Sequence, residues 1–187
     1  MLFRSRKPAI ITGLLYPGFL GAIVYEAVPK LFYGEPKRLP LETTVLIAAL
    51  LWHYVLDYIY TYDRDKDAPY DWLMFIADAL IVVFLFLAIR QSYEDAIHYL
   101  VDARIWAFML GTKLAAFVWE LADARYNGFD RNKERALLGD WGFCWPYMLG
   151  MFFWPDQPLL LAVVLVADAS AYLLHEYYVR RSLCGAT

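Results

Sequence analysis

Six stretches of the chain are predominantly apolar over lengths near the ~20 residues that a helix needs to cross a hydrocarbon core of roughly 30 Å. They lie at 9–28, 41–61, 72–89, 105–122, 138–154 and 158–178. The second, third and sixth are long and rich in Leu, Val, Ile and Phe. The first contains Gly13, Pro17, Gly18 and Gly21, which membrane helices tolerate, and it predicts a kink near Pro17. The fifth is the least regular, because Trp141-Gly-Phe-Cys-Trp-Pro146 is short and interrupted by proline. If that segment re-enters or lies at the interface, five spans remain. The pattern predicts an all-α, polytopic transmembrane helical bundle, with six spans favoured over five, in one integral-membrane domain over 1–187. Arg4-Ser-Arg-Lys7 and the apolar run behind it fit the first two regions of a signal peptide. No Ala-x-Ala site closes that run, so it is expected to remain as a span.

Lysine and arginine set the orientation of such a bundle. With the N-terminus inside, the inner side holds Arg4, Arg6, Lys7, Arg64, Lys66, Arg125, Arg131, Lys133, Arg135, Arg180 and Arg181. The outer side holds Lys30, Lys37, Arg38 and Arg90, with Arg104 at the outer mouth of the fourth span and Lys113 within it. Eleven against four, or five with Arg104, is a strong bias and agrees with an even number of spans. Both termini are therefore expected in the cytoplasm, across a plasma or bacterial inner membrane. Tyr58, Tyr60, Tyr62, Tyr70, Trp72, Trp119, Tyr126, Trp141, Tyr177 and Tyr178 fall near the inner boundary, where amphipathic rings settle. A lipid-interface belt accounts for most of the 15 Tyr and 7 Trp.

Composition agrees with that frame. Hydrophobic residues make up 61% of the 187 residues and charged ones 20%, below the roughly 25% of soluble domains. Mean hydropathy is +0.40, which excludes disordered and collagen-like chains and most soluble folds. A net charge of −3 leaves no basic footprint for nucleic acid. Cys144 and Cys184 form no CxxC pair and no zinc spacing, so neither a disulfide framework nor a structural metal site is expected. The longest loop, read as 123–140, is short and basic, and no Gly-rich phosphate loop exists. Any uphill movement would draw on an ion gradient or on a partner chain.

The chemistry lies in ionisable side chains inside the spans. A charge near the bilayer centre costs about 2.5–3.5 kcal/mol on insertion scales, so such residues are rare and face a bundle interior. Here they are His53 and Asp57 in the second span, Asp78 in the third, Lys113 and Glu120 in the fourth, and Asp168 in the sixth, with His175 and Glu176 near its inner end. Spacings of three and four put His53 with Asp57 on one helix face, Lys113 with Phe117 and Glu120 on another, and Asp168 with Tyr172, His175 and Glu176 on a third. Polar stripes avoid lipid by facing each other. Depth places Asp57, Asp78 and Glu120 in the inner third, and Lys113 and Asp168 near the midplane. Lys113 is therefore expected to pair with Asp168, the other acids surrounding an inner vestibule reached by water. If ionised, Asp57, Asp78, Glu120 and Asp168 total −4 and Lys113 returns +1. A net −3 at low dielectric requires that acids take up protons, that water enters, or that a cation binds. The plainer alternative makes Asp57 and Glu120 hydrated residues near the interface and Asp78 a neutral acid bonding between helices.

Other patterns carry less. Ala-Asp-Ala occurs at Asp78, Asp123 and Asp168, each 45 residues apart, but the flanks lack the self-similarity of a repeat. Haem ligation between helices by His53 or His175 is the alternative reading, yet their depths differ, and His98 lies in an outer loop. Structural histidines are the simpler reading, and no Glu-x-x-His motif supports a di-metal site. Membrane-enzyme motifs are missing: no Gly-x-Ser-x-Gly elbow, no His-Glu-x-x-His, and Ser170 and His175 are badly spaced as nucleophile and base. An enzyme is disfavoured and no cofactor is expected.

Two functions follow as expectations. The first is a small conductor or transporter of protons or cations, lined by Asp57, Asp78, Glu120 and Asp168, with Lys113 as internal counter-charge and His53 as proton relay. The second is a membrane-embedded anchoring or sensing subunit that docks a cytosolic protein or anionic lipid through Arg125, Arg131, Lys133 and Arg135. At this size the bundle is expected to form homo-oligomers.

Overall fold

The computed structural model describes residues 11–32, 40–63, 70–98 and 102–184. Every regular element among them is helical. A π-helical turn (Ile11–Leu15) leads into α1 (Tyr16–Phe32), followed by α2 (Leu41–Asp63), α3 (Trp72–His98), α4 (Ala103–Asn127), α5 (Arg131–Phe153) and α6 (Pro158–Cys184). The six apolar stretches thus correspond to six helices in order. Three of these are long and apolar enough to cross a membrane, over Trp72–Ser92, Ala103–Tyr126 and Pro158–His175, and Gly13–Ile23 is a shorter apolar helix. α2 and α5 have 23 residues each, about 34 Å at 1.5 Å per residue. Their apolar character is diluted, by Glu42, His53 and Asp57 in α2 and by two polar opening turns in α5.

Local chemistry explains where the helices depart from the hydropathy pattern. The irregularity expected near Pro17 is the π-helical turn just before it: Pro17 has no N–H to give the carbonyl four residues back, and its ring crowds that turn. The stretch 123–140 is not a loop. α4 continues to Asn127 and α5 begins at Arg131, leaving only residues 128–130 between them. Gly128 turns the chain at φ 82°, ψ 160°, a region that is essentially glycine's alone. Asp130 then caps α5, its carboxylate accepting the N–H groups of Asn132 and Lys133 at 2.9 and 2.8 Å. Nor is the fifth segment broken: 138–154 falls almost wholly within a continuous helix that runs through Pro146. α3 likewise extends to His98, so that residue closes a helix rather than lying in a loop.

Each helix from α2 to α6 packs on the next in sequence, and α6 returns to α2, closing a ring of five. α1 and its π-helical turn lie against this ring at α3 and α2. Leu50, Val82, Leu85, Ile89, Trp106, Met109, Tyr147 and Leu161 fill the interior. The outer faces are apolar as well: Trp52, Ile76, Leu80, Val118, Trp145, Phe152, Val163 and Val166 are all exposed. Helices that are apolar all round suit a hydrocarbon surrounding rather than water.

Of the boundary aromatics, Trp72, Tyr126, Trp141 and Tyr177 are exposed. Three others turn inward, correcting the belt reading. Trp119 is buried, Tyr70 donates to Asp78, and Tyr58 rests 5.3 Å from the Tyr16 ring. Arg4, Arg6, Lys7, Lys37, Arg38, Arg64 and Lys66 lie outside the described residues, as do the side chains of Lys30, Tyr60, Tyr62, Glu176, Tyr178, Arg180, Arg181 and Cys184.

Candidate functional site

Lys113 sits in the middle of α4, where Gly111 and Thr112 keep the preceding turn small. Its ammonium reaches Asp168 Oδ1 on α6 at 2.7 Å and Asp140 Oδ1 on α5 at 3.3 Å. The Phe143 ring lies 5.8 Å away and screens one side. The second oxygen of Asp168 accepts the Tyr147 hydroxyl at 3.0 Å, with the carboxylate only 2% exposed. The structure therefore makes the Lys113–Asp168 pair that helix spacing and depth anticipated. It also adds a member the sequence reading passed over.

Asp140 was missed because 123–140 looked like a loop ending at that residue. A signal was present nonetheless. Leu137, Asp140, Cys144 and Tyr147 recur at three- and four-residue steps, one helix face, and Leu137, Cys144 and Tyr147 are the buried residues around it.

The remaining acids are arranged around a cavity of about 60 Å³ lined by His53, Asp57, Asp78, Lys113, Glu120 and Asp140, among others. A water needs roughly 10–15 Å³ on this measure, so the cavity has room for a few waters. Every helix of the five-membered ring contributes an ionisable group to it or to Asp168 beside it. Asp57 falls late in α2, Asp78 early in α3, Glu120 late in α4 and Asp140 in the first half of α5, as helices of alternating direction require. Asp57 accepts the Tyr16 hydroxyl from α1, and Tyr54 in turn donates to the Tyr16 carbonyl at 2.8 Å. Asp78, 4% exposed, accepts the Tyr70 hydroxyl. His53 lines the cavity with its Nδ1 buried and without a hydrogen-bond partner.

A second cavity, about 180 Å³, opens between α4, α5 and α6 and is lined by Arg135, Gly139, Asp168, Ala171 and His175 together with Lys113, Glu120, Asp140 and Tyr172. Counting Asp140, five acids surround the two cavities; Asp78 and Asp168 are buried, Asp57, Glu120 and Asp140 are half-buried, and Lys113 is the buried cation among the described residues. Carboxylates gathered at low dielectric are offset by protons, water or cations.

The four basic residues behave differently from one another. Arg125, Arg131 and Arg135 are exposed near the 128–130 turn, Arg135 also lining the second cavity. Lys133 turns inward to Asp123 at 2.7 Å. The three Ala-Asp-Ala aspartates occupy unlike places: Asp78 in the cavity wall, Asp123 in that surface pair, Asp168 in the core. His53 and His175 line different cavities, and among the described residues no group of three His, Cys, Asp or Glu is placed to hold a metal ion. Comparison with protein-family models, with characterised proteins and with solved structures gave no match.

Proposed function

We propose that this chain is a six-span membrane protein, both termini cytoplasmic, whose ring of helices carries protons or small cations along an acid-lined path. The observation behind this reading is the convergence of ionisable groups from α2, α3, α4 and α5 on one cavity that takes a few waters, with Asp168 of α6 paired to Lys113 beside it, inside a molecule whose outer faces are apolar. Asp140 and Asp168 share one ammonium, and Asp57, Asp78 and Glu120 line the cavity beside that cluster. The cavity lies toward the end where α4 turns into α5, which the excess of basic residues marks as cytoplasmic.

The test is ion flux in proteoliposomes under an imposed potential, read with dyes for H⁺, Na⁺ and K⁺. Wild type is expected to move at least one of these, and Asp168→Asn to abolish it while eluting as folded protein. Wild type impermeable to all three would overturn the conduit. The exposed Arg125, Arg131 and Arg135 at one end of the molecule support the competing anchor reading. In that case charge reversal of these three should abolish partner or anionic-lipid binding while Asp168→Asn leaves it intact.

A further inference from the structure

The two cavities share four lining residues, Lys113, Glu120, Asp140 and Tyr172. Other ionisable groups face one side only: His53 and Asp57 of α2 and Asp78 of α3 the first cavity, Arg135 of α5 and Asp168 and His175 of α6 the second. We propose that the species carried is the proton and that Asp140 passes it between the two cavities, releasing and regaining its share of Lys113 as it does so. This rests on the conduit reading above and names its substrate and its transfer residue.

The two carboxylates on Lys113 are not equivalent. Asp168 has both oxygens engaged, by Lys113 at 2.7 Å and by Tyr147 at 3.0 Å. Asp140 makes one bond, 3.3 Å long, beyond the usual N–H···O range, and it borders both cavities. Its side chain is 13% exposed against 2% for Asp168. A proton arriving from water in the first cavity bonds to Asp140, and the Lys113–Asp140 hydrogen bond breaks. The ammonium, which has three N–H groups, stays with Asp168, and the triad passes from −1 to neutral. Loss of that proton to water in the second cavity re-forms the bond. One proton enters and one leaves, with no other reactant.

The position between Asp140 and Asp168, where a metal cation would bind best, is filled by an ammonium tethered to α4. A metal ion must displace it; a proton need not. An independent sign of an occupant comes from His53. Its buried, unpartnered Nδ1 borders the first cavity, and buried polar atoms in folded proteins are bonded to protein or to water. Water in that cavity satisfies the imidazole and supplies the chain along which protons reach Asp140.

The experiment uses the full chain in proteoliposomes, with an internal pH dye, separate vesicles carrying Na⁺ or K⁺ indicators, and wild type beside Asp140→Asn and Asp140→Glu. The expected result is potential-driven proton flux in wild type, lost in Asp140→Asn and kept by Asp140→Glu with a displaced pH profile. Proton flux in Asp140→Asn equal to wild type overturns the inference. So does wild type that moves Na⁺ or K⁺ at constant internal pH, an outcome that leaves the cation conduit standing. No flux of any ion removes the conduit and this inference with it. Should Asp140→Asn fail to elute as a single folded species, Asp140→Glu decides alone, and a pH profile identical to wild type overturns the role of Asp140.

Discussion

Trp106 is fully buried between α4 and α5, and its indole lies where a side chain on Gly150 would stand. A Cβ at Gly150 would come within 2.1 Å of the ring, and the indole has little room to retreat, being wedged against Tyr147 at 6.4 Å and tied by its N–H to the Pro155 carbonyl at 3.3 Å. Gly150→Ala is therefore expected to cost about 1–3 kcal/mol, the usual range for overpacking a filled core. Thermal unfolding in detergent checks this, and an unchanged midpoint would show that α5 can slide away from α4. The same scale shows what a one-dimensional pattern reveals. Lys113 and Asp168 stood out because a charge inside an apolar run is conspicuous by itself. Asp140 did not, because it lies where the fifth apolar stretch, 138–154, overlaps the basic stretch 123–140, and its acid reads as the end of that polar segment. Tyr16, Tyr70 and Tyr147, which hold Asp57, Asp78 and Asp168, were equally hidden, since tyrosine is at home in an apolar run whether or not its hydroxyl has a partner.

At the scale of elements, hydropathy located six helices but not their ends. A hydrophobic window reports where a helix is greasy, whereas capping and turn chemistry decide where it starts. α5 shows the difference: its first seven residues are largely polar, and Asp130 rather than burial begins it. Removing that cap with Asp130→Ala leaves two N–H groups unsatisfied and is expected to cost about 0.5–2 kcal/mol. Hydrogen exchange should quicken at Asn132 and Lys133 while the amides around Tyr147 stay protected. Uniformly unchanged exchange would mean that packing on α4 alone holds the first turn. The persistence of α5 through Pro146 has a related cause. A helix already nucleated, capped and packed against α4 tolerates one missing backbone bond, whereas an isolated segment judged on its own composition looks broken.

For the molecule as a whole, orientation is a matter of which turns face which side. The 128–130 turn and the 154–157 turn lie at opposite ends of α5, so they should face opposite compartments if α5 crosses. With Cys184 replaced by serine and Cys144 buried, Phe129→Cys is expected to react with a membrane-impermeant maleimide only from the cytoplasmic face, and Asp156→Cys only from the outside. Labelling of both from one face would leave α5 on a single side and void the six-span arrangement. The basic excess behind the proposed orientation is spread over many residues, so that proposal does not depend on any single lysine or arginine.

The amino-acid order alone determined the class of the molecule, the number and sequence of its helices, and the Lys113–Asp168 partnership. These follow from quantities local to the chain: apolar length against the thickness of a bilayer, and the three- and four-residue periodicity of a helix face. What only the tertiary structure decided is the closure of α2 to α6 into a ring, the third member of the charge cluster, and the two cavities that meet at Asp140. Those depend on how far each helix is rotated and shifted against its neighbours. Packing sets that register through contacts such as Trp106 against Gly150, and hydrophobic periodicity does not encode it.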